Sequence, residues 1–189
     1  QVLSPTRKGS TGTVSLNNAL RQALNPSDGI KRELTFRGQT FREGDKVMQI
    51  RNNYDILWKR CDGLGAGTGI FNGDIGTIAR IDFEAELVTI DFDDRRAEYS
   101  FDMLSELEPA YAMTVHKSQG SEYRAVILSA FSGSQLLLTR SVLYTAITRA
   151  RELFIIVGNE EVIAAMTRND RQQRRYSGLK LRLEQGEPS

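Results

Sequence analysis

The chain contains no Gly-Lys dipeptide, and so no G-x-x-x-x-G-K-[ST] loop to cradle a triphosphate. No Asp-Glu pair follows an apolar run, so the usual acidic partner of magnesium is missing too. One cysteine, Cys61, cannot form an intrachain disulfide; it reads as an incidental thiol and suits a reducing compartment. One cysteine and one histidine cannot build a structural zinc site, and no metal site is expected. Gly133-Ser134 is not part of a G-x-S-x-G elbow, and no nucleophile–histidine–acid pattern stands out. No apolar run approaches the ~20 residues of a membrane span. The opening Gln1-Val2-Leu3-Ser4-Pro5 has none of the marks of a signal peptide and reads as a cut into a larger protein, so the cytoplasm is the expected location. A surplus of one charge sign is lacking as well: 25 basic residues face 24 acidic ones, net +1. That excludes a uniformly basic nucleic-acid binder and leaves such contact to a local patch. No internal repeat is visible.

What is present is an ordinary globular mix, 40% hydrophobic and 26% charged over 189 residues. That is enough for one domain with a small insertion. Residues 1–4 read as a short buried strand. A glycine- and cation-rich loop, Arg7-Lys8-Gly9-Ser10-Thr11-Gly12, follows it. Leu16, Leu20 and Leu24, with Ala19 and Ala23, recur at helical spacing and predict an amphipathic helix over 14–24, stopped by Asn25-Pro26. Residues 34–50 are extended, with a turn at Glu43-Gly44-Asp45 and a strand from Lys46. The glycine-rich stretch 63–69 reads as a plain connector. From 74 to 101 the pattern is β-like: Val88, Ile90 and Phe92 alternate with polar neighbours. After Pro109 come strands at 111–115 and 125–129. A helix capped by Thr139 follows, its apolar face formed by Val142, Leu143, Ala146, Ile147 and Ala150. Leu153-Phe154-Ile155-Ile156-Val157 has the unbroken apolar character of a strand buried on both faces. Asn159 then caps a helix through Met166. This strand–helix alternation implies a parallel sheet. The resulting division is 1–73, the first part of a parallel-sheet lobe; 74–108, an inserted barrel; 109–167, the rest of the lobe; and 168–189, a basic tail.

Two blocks carry the chemistry: Ala112-Met113-Thr114-Val115-His116-Lys117-Ser118-Gln119-Gly120-Ser121-Glu122-Tyr123 and Leu143-Tyr144-Thr145-Ala146-Ile147-Thr148-Arg149-Ala150-Arg151. A guanidinium at the end of a helix, as at Arg149, can clamp two phosphoryl oxygens by parallel hydrogen bonds. Alone it reads better as a surface arginine on a helix end. Thr114 and the single histidine, His116, close a strand, where ligands of open α/β sheets bind. A hydroxyl and an imidazole there suit phosphates and sugars without reading sequence. Gly120 lets backbone approach a ligand closely. Arg151 reads as a partner for an acid.

The first block resembles motif V of superfamily 1 helicases and the second resembles motif VI. Ser4-Pro5-Thr6-Arg7-Lys8-Gly9 is similar to motif IV of the RecD/TraA branch, the exodeoxyribonuclease V alpha subunit type. Phe71-Asn72-Gly73-Asp74-Ile75-Gly76 resembles the entry to that branch's inserted barrel. The resemblance spans residues 1 to about 158. It implies the C-terminal, second RecA-like lobe of a DNA helicase: a P-loop NTPase-type parallel sheet flanked by helices, with a small Src-homology-3-like barrel. It implies Arg149 as the catalytic arginine finger. Gln119, Gly120 and Glu122, with Arg7 or Lys8, would meet the nucleotide. Thr114, His116, Lys117, Ser118 and Asn72 would meet single-stranded DNA. ATP with Mg2+ is the implied cofactor, the metal held mainly by the missing N-terminal lobe. That lobe, single-stranded DNA and other exodeoxyribonuclease subunits are the implied partners. The implied activity is 5′ to 3′ translocation with duplex unwinding in repair or recombination, absent from this lobe alone. A non-catalytic strand-binding or docking module, and a UvrD-like 3′ to 5′ or RNA helicase lobe, stay open as alternatives.

Overall fold

The structure, a computed structural model, describes residues 1–131 and 136–170. Gly133-Ser134 and most of the basic tail, including Arg171, Arg174, Arg175, Lys180 and Arg182, lie outside them. In chain order the elements are β1 (Val2–Ser4), α1 (Thr13–Leu24), β2 (Glu33–Phe36), β3 (Gln39–Arg42), β4 (Lys46–Gln49), β5 (Asn53–Arg60), β6 (Ala66–Ile70), β7 (Ile75–Asp82), β8 (Leu87–Phe92) and β9 (Arg95–Ser100). A 3-10 turn, Phe101–Glu106, leads to β10 (Leu107–Pro109), β11 (Ala112–Thr114), β12 (Tyr123–Ala130), α2 (Arg140–Ile147), β13 (Ala150–Gly158) and α3 (Glu160–Arg168).

Two sheets organise the chain. A parallel sheet of order β11-β1-β12-β13 is made from the two ends of the sequence. An antiparallel sheet of order β10-β4-β7-β8-β9-β5-β6 curls around its own core between them. The expected RecA-like sheet with an inserted β-barrel is what forms. Val88, Ile90 and Phe92 all point into the barrel core, with Ile78, Tyr99 and Leu107, as their alternation predicts. The antiparallel sheet, however, starts at Lys46 rather than at 74, since β4, β5 and β6 are strands of it. Glycines hid this. The stretch 63–69 is a connector only in its first half; β6 begins at Ala66. Gly67 is glycine because the Trp58 ring lies across it: a β-carbon there would stand 2.5 Å from Trp58 Cζ2.

Two further elements differ from expectation. On α1 the leucine stripe is only half covered, and Leu24 is exposed; the residues that bury are Thr13 and Asn17. Asn17 donates Nδ2 to the carbonyl of Ala112 at 2.8 Å and accepts the Ala112 N–H at 2.9 Å. One side chain thus substitutes for the neighbour strand that β11, at the sheet edge, does not have. Asn17→Ala leaves both buried groups unpaired, and is expected to cost about 2–4 kcal/mol in urea unfolding. A loss below ~0.5 kcal/mol would show that the amide is dispensable.

The strand β13 turns one face inward through Phe154 and Ile156, which join the core of Leu3, Val126, Leu128, Ala146 and Met166. Leu153, Ile155 and Val157 face out, 51%, 40% and 46% exposed. The expectation of burial on both faces fails because α2 and α3 pack on one face only, and among the described residues the other face stays open. Ala150, expected on the helix, opens β13 instead. Thr139 caps α2 as predicted, accepting the Val142 N–H at 3.3 Å. Asn159 holds the cap position of α3 without a side-chain bond.

Candidate nucleotide and nucleic-acid site

The strands β1 and β11 are parallel neighbours, so the loops that follow them emerge at the same carboxyl edge of the sheet. The first loop, after Ser4, folds over the start of α1. Thr6 and Arg7 carbonyls accept the N–H groups of Thr13 and Val14 at 3.0 and 3.2 Å. The helix start is therefore capped by its own chain. The second loop, after Thr114, is a tight turn. The Thr114 carbonyl accepts from the N–H of Lys117 and Ser118, and the Thr114 hydroxyl accepts from Lys117 N–H at 3.3 Å. His116, Lys117, Gln119 and Gly120 are exposed on it. Gly120 has a left-handed backbone, φ +88, which favours glycine, and the space beside it is open.

Ser118 does not fit the role the resemblance gives it. It is 0% exposed and donates its hydroxyl to the Val115 carbonyl at 2.7 Å. Its place is to hold the turn, because Val115 beneath it is buried in the lobe core. Asn72 stands on an exposed turn of the barrel, its N–H bonded to Asn52 Oδ1 at 2.9 Å. It is carried by a different unit from Thr114.

At the carboxyl edge the structure adds a residue that the sequence gave no reason to single out. Glu108, in β10, accepts from Arg7 Nη2 at 3.2 Å and from Lys117 Nζ at 2.6 Å. Arg7, expected beside the nucleotide, is thereby joined to Lys117, expected on the nucleic acid. Lys8 is exposed and makes no ion pair among the described residues. A cavity of about 430 Å³ opens between α1, the β2–β3 hairpin and β10; a second of about 170 Å³ shares Arg7 and Glu108 and reaches Thr114 and Lys117.

The remaining site residues gather at the opposite edge, where β12 and β13 begin. Arg149 directly precedes β13. Its Nη1 donates to the Ser121 carbonyl at 3.0 Å and its Nη2 to Thr148 Oγ1 at 3.3 Å, while its carbonyl accepts from Tyr123 N–H. Arg149 Nε is buried with no hydrogen-bond partner among the described residues. Glu122 pairs with Arg151 at 2.9 Å, the acid partner expected of Arg151. Burial is the larger influence on the neighbouring Tyr123 phenol and raises its pKa; Ser121 and the positive Arg149 pull the other way. The Arg149 guanidinium and the Glu122 carboxylate at this edge, with the exposed Gln119 amide on the loop leading to it, are groups suited to phosphates and a ribose edge. The residues present fit a nucleotide contributed from outside this chain. Among the described residues, no group of three or more His, Cys, Asp or Glu could hold a metal ion, and no helix is long and apolar enough to cross a membrane.

Residues 16–92 match the ATP-dependent RecD-like DNA helicase SH3 domain family, and residues 109–157 match the UvrD-like helicase C-terminal domain family. The ATP-dependent RecD2 DNA helicase of Deinococcus radiodurans is 35% identical over 174 residues, 90% of this chain and 22% of that protein. The RecBCD enzyme subunit RecD of Mycolicibacterium smegmatis is 37% identical over 118 residues, 62% of this chain and 20% of that one. The chain thus spans about a fifth of the length of these relatives. Among solved structures, the Pif1 helicase from Bacteroides in complex with ADP-AlF3 and ssDNA superposes over 98% of this chain and 45% of that one. Its TM-score is 0.50 at 15% identity, a likeness of fold alone. The chain therefore has the sequence and the fold of the second RecA-like lobe of RecD-type superfamily 1 helicases, its Src-homology-3-like barrel included.

Proposed function

We propose that this chain is the C-terminal motor lobe of an ATP-dependent DNA helicase that moves 5′ to 3′ on single-stranded DNA and separates duplex in repair or recombination. One observation carries the reading. The loop 115–122 is fastened at one end to the end of β11, beside Arg7 and Lys117, and at the other to Arg149 through the Ser121 carbonyl. A single short segment therefore links the groups suited to a nucleic-acid backbone with the groups suited to a nucleotide. That is the connection a motor needs.

When bound between this lobe and an N-terminal lobe, ATP with Mg2+ would supply the phosphoryl group whose transfer to water drives the cycle. In this lobe Arg149 meets the developing phosphoryl charge, Gln119 and Glu122 orient the nucleotide, and Thr114 and His116 hold the strand. Without the other lobe the chain has no phosphate loop, so the isolated chain is expected to lack ATPase activity.

The test is anisotropy of labelled oligo-dT with the chain across salt concentrations. Weak, salt-sensitive binding that Thr114→Ala or His116→Ala reduces is the expected result. Glu108→Gln frees Arg7 and Lys117 from their internal acid. It should tighten binding and steepen the salt dependence by about 0.7 in log–log slope per phosphate newly engaged. Binding that Glu108→Gln weakens would mean that Glu108 only positions the two cations. Absence of any wild-type binding at low salt, for the chain and for a two-lobed parent alike, would sink the nucleic-acid reading.

A further inference from the structure

The barrel carries an aromatic pair that neither core uses. Tyr54, at the start of β5, and Phe71, just past β6, are 66% and 40% exposed, yet their rings meet edge to face with centroids 5.6 Å apart at 72°. The pair is held by backbone. Phe71 packs over Gly69, whose missing β-carbon would otherwise stand 3.0 Å from Phe71 Cζ. Phe71 N–H is bonded to Asp74 Oδ2 at 3.0 Å, and the following Asn72 N–H to Asn52 Oδ1 at 2.9 Å. The antiparallel pairing of Asn53 with Ile70 brings the two ring-bearing residues side by side. Rings fixed in this way lose little freedom on meeting a ligand, and a face left open to water gains from being covered.

The surroundings select the ligand. Exposed Asn52 and Asn72 flank the rings with amide donors and acceptors, which suit the polar edges of a flat heterocycle. Arg51 and Asp55 are both exposed and opposite in charge, so the patch has no surplus with which to attract phosphate. The neighbouring Ile50 and Ile75 pack on the core that holds Met113 and Val115. The segments bearing the rings therefore leave the barrel close to where it packs on the lobe.

We propose that Tyr54 and Phe71 form a stacking platform for a base of single-stranded nucleic acid. The proposal rests on the function inferred above, but its contribution differs in kind: it is stacking and not ion pairing.

That difference provides the test. The chain is titrated into oligo-dT of fixed length, into the same oligomer with abasic sites at its centre, and into one carrying central 2-aminopurine, at several salt concentrations. Tyr54→Ala and Phe71→Ala should each weaken dT binding about tenfold or more with the salt slope unchanged. Tyr54→Phe should bind as wild type does. The abasic strand should bind wild type as weakly as dT binds the alanine variants, and 2-aminopurine emission should change on wild type and not on Tyr54→Ala. Circular dichroism confirms that the variants fold. Alanine variants that bind dT as wild type does, or a loss that appears as a shallower salt slope, overturn the platform while leaving the function intact. No binding by wild type overturns both.

Discussion

Arg149→Ala, made in a two-lobed parent, is expected to lower kcat for DNA-stimulated ATP hydrolysis by about 10³-fold or more, the range over which phosphoryl-transfer arginines act. Affinity for oligo-dT should stay near wild type. The expectation follows from where the guanidinium is held. One nitrogen is spent on the Ser121 carbonyl and one on Thr148, which fix the plane, while Nε is buried without a partner. Arg149→Lys should recover little, because an ammonium is a point charge and cannot clamp two oxygens at once. Single-turnover hydrolysis, measured beside nucleotide binding, separates the two roles the residue can play. A fall in hydrolysis with nucleotide affinity preserved assigns it to the reaction. A tenfold-or-smaller effect on hydrolysis, recovered by lysine, would reduce it to general electrostatics.

The second large effect concerns the joint between barrel and lobe. Asp45 is buried and collects four hydrogen bonds: Arg21 Nε at 3.0 Å, Asn25 Nδ2 at 2.8 Å and Tyr111 OH at 3.2 Å on one oxygen, and Arg42 N–H at 2.8 Å on the other. Arg21 Nη2 adds an ion pair at 2.9 Å. The donors come from α1, from the end of β3 and from the segment leading to β11. Asp45→Ala would leave the largely buried Arg21 without its counter-charge. Breaking one side of such a pair costs about 3–5 kcal/mol, to be read in urea unfolding followed by tryptophan fluorescence, since the single Trp58 lies in the barrel. Asp45→Asn keeps the shape and a carbonyl acceptor and should fall between. A drop in stability equal for Asp45→Ala and Arg21→Ala, with no further loss in the double variant, would show that the cost belongs to the pair. Additive losses would show that it does not.

Much of this layout was legible before any coordinates. The period-two pattern of Val88, Ile90 and Phe92 reports a one-sided strand, and the threonine before Val142 reports a cap, because each depends on neighbours a few positions away. The loop 114–122 was readable for the same reason: its geometry is set by local turns. What sequence hid depends on distant partners. Asn17 looks like a surface residue until Ala112 stands opposite it. Glu108 becomes a clamp only when β10 lies between Arg7 and Lys117. The barrel's early strands were masked by the glycines that accommodate Trp58 and Phe71. The apolar run of β13 indicates a parallel strand but cannot say that it ends the sheet.

The insertion also bears on how such a chain finds its fold. The parallel sheet needs Val2 to meet Ala112 and Ile127, contacts far apart along the chain. Loops of that length close slowly and at an entropic cost. Part of the barrel is built from hairpins between successive strands, β5 to β6, β7 to β8 and β8 to β9, onto which the longer pairings of β4 with β7 and β10 and of β5 with β9 can close. Once formed, it holds Lys46 against Ala110 through a backbone bond and Val47 against Pro109 through strand pairing. More than sixty residues are then bypassed, and the ends of the sheet are tethered by α1 and a short connector. The insertion thus acts as an internal staple that shortens the search for the lobe into which it is set.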